Sequence, residues 1–234
     1  MPYHRSRARK RFEIDIVIFL KTLGEAFSSK CSSHSVRGFA LCSAVLLCSA
    51  RLESYLEDLL GDWSQSVRAP HLTTDQLPKR TRAFLLNQAG ILAAYRRYVC
   101  YGSESELLSK LEAFVGQSTY EFAIDGRAIP QFPIQAIYRD RKYPSVKNLQ
   151  DLFNRFGFSN IFDELNRIGR RDTKALLISF NDLRTEMAHT GMPIGLTPGD
   201  IRLHIKNVRS VVGYIDRLFY SHVAKSVGAA RWTV

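Results

Sequence analysis

Cysteine is scarce in this chain and acid is outnumbered by base. The four cysteines of the 234 residues stand at 31, 42, 48 and 100. None forms a Cys-x-x-Cys pair and none has a histidine at finger spacing, so the ligand pattern of a structural zinc site is missing. They read as reduced thiols in a core. Glycine-rich phosphate loops, internal repeats and strand patterns longer than four or five residues are also missing. The longest charge-free apolar stretch, Gly38 to Ala50, lies between Arg37 and Arg51 and is shorter than the ~20 residues that span a bilayer. No transmembrane helix is expected. Glu13 and Asp15 interrupt the segment after the basic N-terminus and no small-residue cleavage site appears, so no signal peptide is expected and the chain should stay in the cytoplasm.

What is present in excess is positive charge: 33 Lys and Arg against 22 Asp and Glu, a net +11. Such a balance draws a protein to polyanions. Five of those charges, Arg5, Arg7, Arg9, Lys10 and Arg11, fall in residues 4–11 with no acid among them. Residues 1–12 are therefore expected to be a solvated basic arm making nonspecific phosphate contacts. Residues 13–228 should form a helical domain, with 229–234 as a tail.

Helical periodicity dominates that domain. Ile14, Val17, Ile18, Leu20 and Leu23 suggest a first helix, and Phe39, Leu46, Leu47, Tyr55, Leu56, Leu59 and Leu60 form one apolar stripe on a long core helix over about 34–63. Helices are expected over about 79–98 and 104–115. Residues 118–144, with Pro130, Pro133 and Pro144, read as a loop or small hairpin inserted between helical halves. Its aromatics, interleaved with Arg139, Arg141 and Lys142, suit either stacking on unpaired bases or covering the core. Beyond it, Ser145, Ser159 or Asn160, and Asp172 are plausible N-caps. Gly191 marks a stop, and Thr197-Pro198-Gly199-Asp200 is a strong helix start. The fold class is all-α.

One window concentrates chemistry: Asn181-Asp182-Leu183-Arg184-Thr185-Glu186-Met187-Ala188-His189-Thr190-Gly191. An arginine followed five residues later by a histidine means little alone, since Arg217 and His222 share the spacing. In the first window, however, Leu176, Phe180, Leu183 and Met187 keep one face in the core. Arg184 and His189 fall off that stripe, and the helix ends just beyond the histidine. Five residues at about 100° each set the two side chains roughly 140° apart and about 7.5 Å along the axis. Histidine exchanges a proton near neutral pH, and arginine offers a planar fork for phosphate.

This window resembles the signature of HEPN ribonucleases, in which Arg is followed by four to six residues and then His. The resemblance extends to the Leu-Glu element of residues 36–60, to Val146–Asn160, and to the Leu-Thr-Pro-Gly-Asp segment that opens the last helix. These parts look like the RiboL-PSP-HEPN group. The resemblance implies an HEPN-like helical bundle and a homodimer that brings two Arg–His motifs to one cleft. It also implies RNA cleavage needing neither metal nor cofactor. The 2′-hydroxyl would attack the adjacent phosphate, leaving a 2′,3′-cyclic phosphate and a 5′-hydroxyl. Arg184 would hold the phosphate and His189 move the proton, with Glu53, Thr185 and Glu186 as supporting residues. Thr185 stands where many active members have Asn, Asp or His. Roles in toxin–antitoxin or antiphage systems, with a cognate antitoxin or defence partner, are implied by the same resemblance. The alternative is a noncatalytic HEPN module that binds nucleic acid or a partner protein.

Overall fold

The computed structural model describes residues 2–30, 33–68, 71–88, 118–138, 141, 143–191 and 195–232. Among these the chain is all-α, with no strand and only a single antiparallel bridge, Thr73 to Ala128. The elements are α1 (Arg7–Ala26), α2 (His34–Ser66), α3 (Lys79–Gln88), α4 (Ile134–Tyr138), α5 (Val146–Asn154), α6 (Ile161–Gly169), α7 (Thr173–Thr190) and α8 (Pro198–Ser226). Short 3-10 turns cover Thr74–Gln76, Ser118–Ala123 and Ala229–Arg231. α2 packs against α1, α7 and α8, and α8 also meets α1, α6 and α7.

The expected caps stand where their chemistry requires. The Ser145, Asn160 and Asp172 side chains accept the first free N–H groups of α5, α6 and α7. Thr197 and Asp200 form a reciprocal capping box with Pro198 at the first helical position of α8. Of the helix expected over 79–98, the part to Gln88 is described. The rest of it, the 104–115 helix, Arg139, Lys142, Cys31 and Cys100 lie outside the described residues. The described thiols are free; burial pushes that of Cys48 up to about 12.

The basic arm is a correction. Ser6 caps α1 by accepting the Arg9 N–H, so helix begins at Arg7. Ala8, Phe12, Ile16 and Leu23 face inward, each 2% exposed or less. The arginines are held by carboxylates: Arg5 to Glu13 at 2.6 Å, Arg9 to Glu13 at 2.9 Å, Arg7 to Asp62, and Arg11 to Asp58 at 3.4 Å. Lys10 alone of the five has no ion pair among the described residues. The N-terminus is anchored on α8, where fully buried Asp216 accepts the Tyr3 hydroxyl at 2.5 Å together with the Ser6 hydroxyl and N–H. Burial and this carboxylate push the Tyr3 phenol up to about 12. A buried carboxylate is tolerated when several donors replace its water. At the other end, the described part of the expected tail, residues 229–232, returns to the N-terminal segment, with Trp232 donating to the His4 carbonyl at 2.8 Å.

The helix faces expected for α1 and the first half of α2 also need correction. Ile14, Val17 and Ile18 are 61, 56 and 52% exposed, and Phe39, Leu46 and Leu47 are 76, 36 and 48% exposed. Leu41, Ala44, Val45, Cys48 and Leu52 turn inward instead. Both helices are apolar on more than one side here, so periodicity alone does not choose the buried face. By length and composition α2 is apolar enough to cross a membrane, but in this bundle it is the core helix, with Tyr55, Leu56, Leu59, Leu60 and Trp63 buried in its second half.

Candidate active site

α7 carries the Arg–His window on a helix whose other face is locked into the core. Leu177, Phe180, Leu183 and Met187 are buried, which turns Arg184 to a half-buried position and leaves Thr185, Glu186 and His189 exposed. The helix ends at Gly191, whose φ of 81° is a left-handed conformation that glycine adopts without Cβ strain. His189 is thereby in the final turn, open to an incoming molecule.

Arg184 is fixed from below. Its guanidinium carbon lies 5.1 Å from the centre of the Tyr143 ring, a cation–π contact. Tyr143 is tied to α7 in turn. Its hydroxyl donates to Asn181 Oδ1 at 3.4 Å, and Asn181 Nδ2 donates to the neighbouring Pro144 carbonyl at 3.3 Å. Asn148 Nδ2 closes the loop onto the Tyr143 carbonyl at 2.8 Å. No carboxylate among the described residues pairs with Arg184, so its N–H fork is available to an anionic ligand. Stacking on an aromatic face orients a guanidinium without consuming its donors.

The supporting residues divide. Thr185 and Glu186 are exposed on α7 beside the pair; the Glu186 carbonyl accepts from Thr190. Glu53 is half-buried on α2 against α4, where its carbonyl accepts the Tyr138 hydroxyl at 3.0 Å. Among the described residues no hydrogen bond or ion pair joins Glu53 to Arg184 or His189. Arg141 is paired with Asp151 at 3.2 Å. Phe122, Phe132 and Tyr138 are buried, so these aromatics of the insertion cover the core. Tyr143, which the sequence offered only among the aromatics suited to base stacking or core cover, instead lies against the Arg184 guanidinium, and Asn181, inside the window but given no role there, holds its hydroxyl. No group of three His, Cys, Asp or Glu side chains converges among the described residues.

The second arginine–histidine pair differs in its histidine. His222 is packed among Phe156, Phe158 and Phe219 at ring-centre distances of 6.4, 5.1 and 5.7 Å. Its Nε2 has no hydrogen-bond partner among the described residues, and burial pushes its pKa down to about 4. It is a half-buried histidine with its ring nitrogen turned inward.

The exposed His189 and stacked Arg184 thus occupy one open helix end, on an all-helical bundle. No curated protein and no solved structure matches the chain. A family profile described as RiboL-PSP-HEPN matches residues 9–221, nearly the whole described bundle and the window itself, and the chain belongs to that HEPN-domain family.

Proposed function

We propose that the protein is a metal-independent endoribonuclease, and that Arg184 and His189 carry its chemistry. HEPN domains are commonly ribonucleases, but the observation that carries the reading is local. Arg184 is stacked on Tyr143 with no acid on its guanidinium among the described residues, five residues from a solvent-open histidine at the end of the same helix. A phosphodiester seated on that fork gains charge as the 2′-oxygen attacks phosphorus, and the guanidinium offsets it. The 2′-hydroxyl proton passes to an imidazole, and the departing 5′-oxygen takes a proton from an imidazole in its acid form. The products are a 2′,3′-cyclic phosphate and a 5′-hydroxyl.

Two imidazoles perform both transfers in one step, and a homodimer supplies two. The large apolar side chains exposed on α1 and α2, Ile14, Val17, Ile18, Phe39 and Leu47 among them, give a second copy a surface to cover. A toxin or antiphage effector in the cytoplasm, held in check by a cognate antitoxin or defence partner, is the setting this chemistry suits.

The test incubates purified protein with a mixed RNA pool in EDTA and assays product ends. Wild-type protein is expected to leave cyclic phosphates, and His189→Ala to lose cleavage while keeping its thermal midpoint and its mass by light scattering. Cleavage that persists in His189→Ala, or binding without any turnover by wild type, overturns the reading; the latter leaves a noncatalytic RNA-binding module.

A further inference from the structure

A cleft of about 470 Å³ lies between α1 and α8, with no residue of the arginine–histidine window in its lining. It is lined by Arg5 and Arg9 from the N-terminal segment and by Lys206, Arg209, Tyr214 and Arg217 from α8, with Ser210 and Gly213 between them. Five cations therefore face one acid, Glu13. That carboxylate is shared by three of them: Arg5 at 2.6 Å, Arg9 at 2.9 Å and Arg209 at 3.8 Å. Arg9 is largely covered and also donates to the Tyr3 hydroxyl at 2.7 Å, but one carboxylate offers about four acceptor sites against the five N–H donors of each guanidinium, so the more exposed Arg5 and Arg209 keep donors open. Lys206 and Arg217 are exposed and have no ion pair among the described residues.

Two glycines let side chains of the cleft approach the backbone closely. Gly213 lies within α8, where glycine costs about 1 kcal/mol relative to alanine. A Cβ there would stand 3.1 Å from Arg9 Nη2, so the bare backbone lets the arginine lie across the helix. At the neighbouring end of α6, a Cβ on Gly169 would stand 2.4 Å from the Tyr214 ring. Arg202, Lys206, Arg209, Gly213 and Arg217 recur every three or four residues along one side of α8, a row roughly 22 Å long. That exceeds any single phosphate. The row begins at the end of α8 nearer to His189 along the chain, and leads away from it.

We propose that the α1/α8 cleft is a second nucleic-acid contact, which grips several consecutive phosphates of single-stranded RNA while Tyr214 offers a base a ring to stack on. The cations supply affinity through counterion release rather than sequence choice. The choice of RNA rests on the ribonuclease reading; the polyanion site rests on the cleft alone.

The experiment measures fluorescence anisotropy of a labelled U12 oligonucleotide across a salt series, in a His189→Ala background so that no substrate is consumed. Lys206→Glu with Arg217→Glu is compared with a charge-matched control, Lys21→Glu with Lys174→Glu. The cleft variant is expected to bind at least tenfold more weakly, with a salt slope shallower by about 1.4, two single-strand contacts' worth. The control should stay within threefold. Circular dichroism confirms folding, and Lys206→Gln with Arg217→Gln, which adds no repulsion, should lose affinity in the same direction. Equal affinity in cleft and control variants, or binding of dT12 without binding of U12, overturns the proposal. Cleavage by wild-type protein is scored separately, so an inactive protein whose cleft still binds RNA sinks the ribonuclease reading alone.

Discussion

His189 ends α7 in solvent, whereas His222, at the same five-residue distance from an arginine, is wedged among three phenylalanines with its Nε2 unpartnered. Each arginine lies near a tyrosine ring, Arg184 at 5.1 Å from Tyr143 and Arg217 at 5.7 Å from Tyr3. Spacing along a helix sets an angle and a rise, the same for both pairs. It does not set which face is buried, and burial decides whether an imidazole can exchange protons with a substrate.

The sharpest way to break this comparison is to replace each histidine by an aromatic ring. His189→Phe is expected to lower RNA cleavage by roughly 10²–10⁴-fold, the usual worth of a general acid or base. His222→Phe should leave turnover per folded molecule unchanged, as read by initial rates on the same RNA. Equal losses would mean that His222 has a part in catalysis.

The next contrast is in stability against pH. Folded His222 resists protonation until about pH 4, while an ordinary imidazole takes its proton near 6.5, so between those values the unfolded chain binds the extra proton. Its contribution is intact above pH 6.5, is lost as the pH falls towards 4, and changes no further below that. The full span is about 3 kcal/mol. Urea unfolding at pH 7 and pH 4.5 should show that part of the acid sensitivity vanish in His222→Phe and persist in His189→Phe.

Two smaller effects concern the arginine. Arg184→Lys keeps the charge but loses the planar fork, and is expected to reduce kcat on the order of 10²-fold. Tyr143→Leu keeps an apolar support while removing the cation–π contact, worth about 0.5–1 kcal/mol at an exposed site. A two- to fivefold drop in kcat with an unchanged thermal midpoint would place Tyr143 as a positioning residue; no change in kcat would leave it as packing.

Much of the architecture was legible in the chain. Asp172, Ser145, Asn160 and the Thr197–Asp200 box act on N–H groups within three residues, so local sequence locates these helix starts, leaving only the choice between Ser159 and Asn160 to the structure. Gly191 ends α7 for an equally local reason. The Arg184–His189 window was readable because Leu183 and Met187 mark a single apolar stripe on an otherwise polar helix end. The charge pattern of residues 4–11 misled, since an Ala8, Phe12, Ile16 stripe at helical spacing lies beneath the arginines, and their partners Asp58 and Asp62 come from a different helix.

Local chemistry in the sequence thus determined the all-α class, the caps and stops, and the end of α7 on which the candidate pair sits. Tertiary structure alone decided which sides of α1 and α2 face inward, that Asp216 would hold an N-terminus 210 residues away, and that one histidine would be wedged among phenylalanines and the other open. The physical reason is range. A cap is satisfied within one turn by atoms whose spacing the chain itself prescribes. Burial depends on which distant surfaces meet, and an apolar helix with two suitable faces carries no record of that choice until its neighbours are in place.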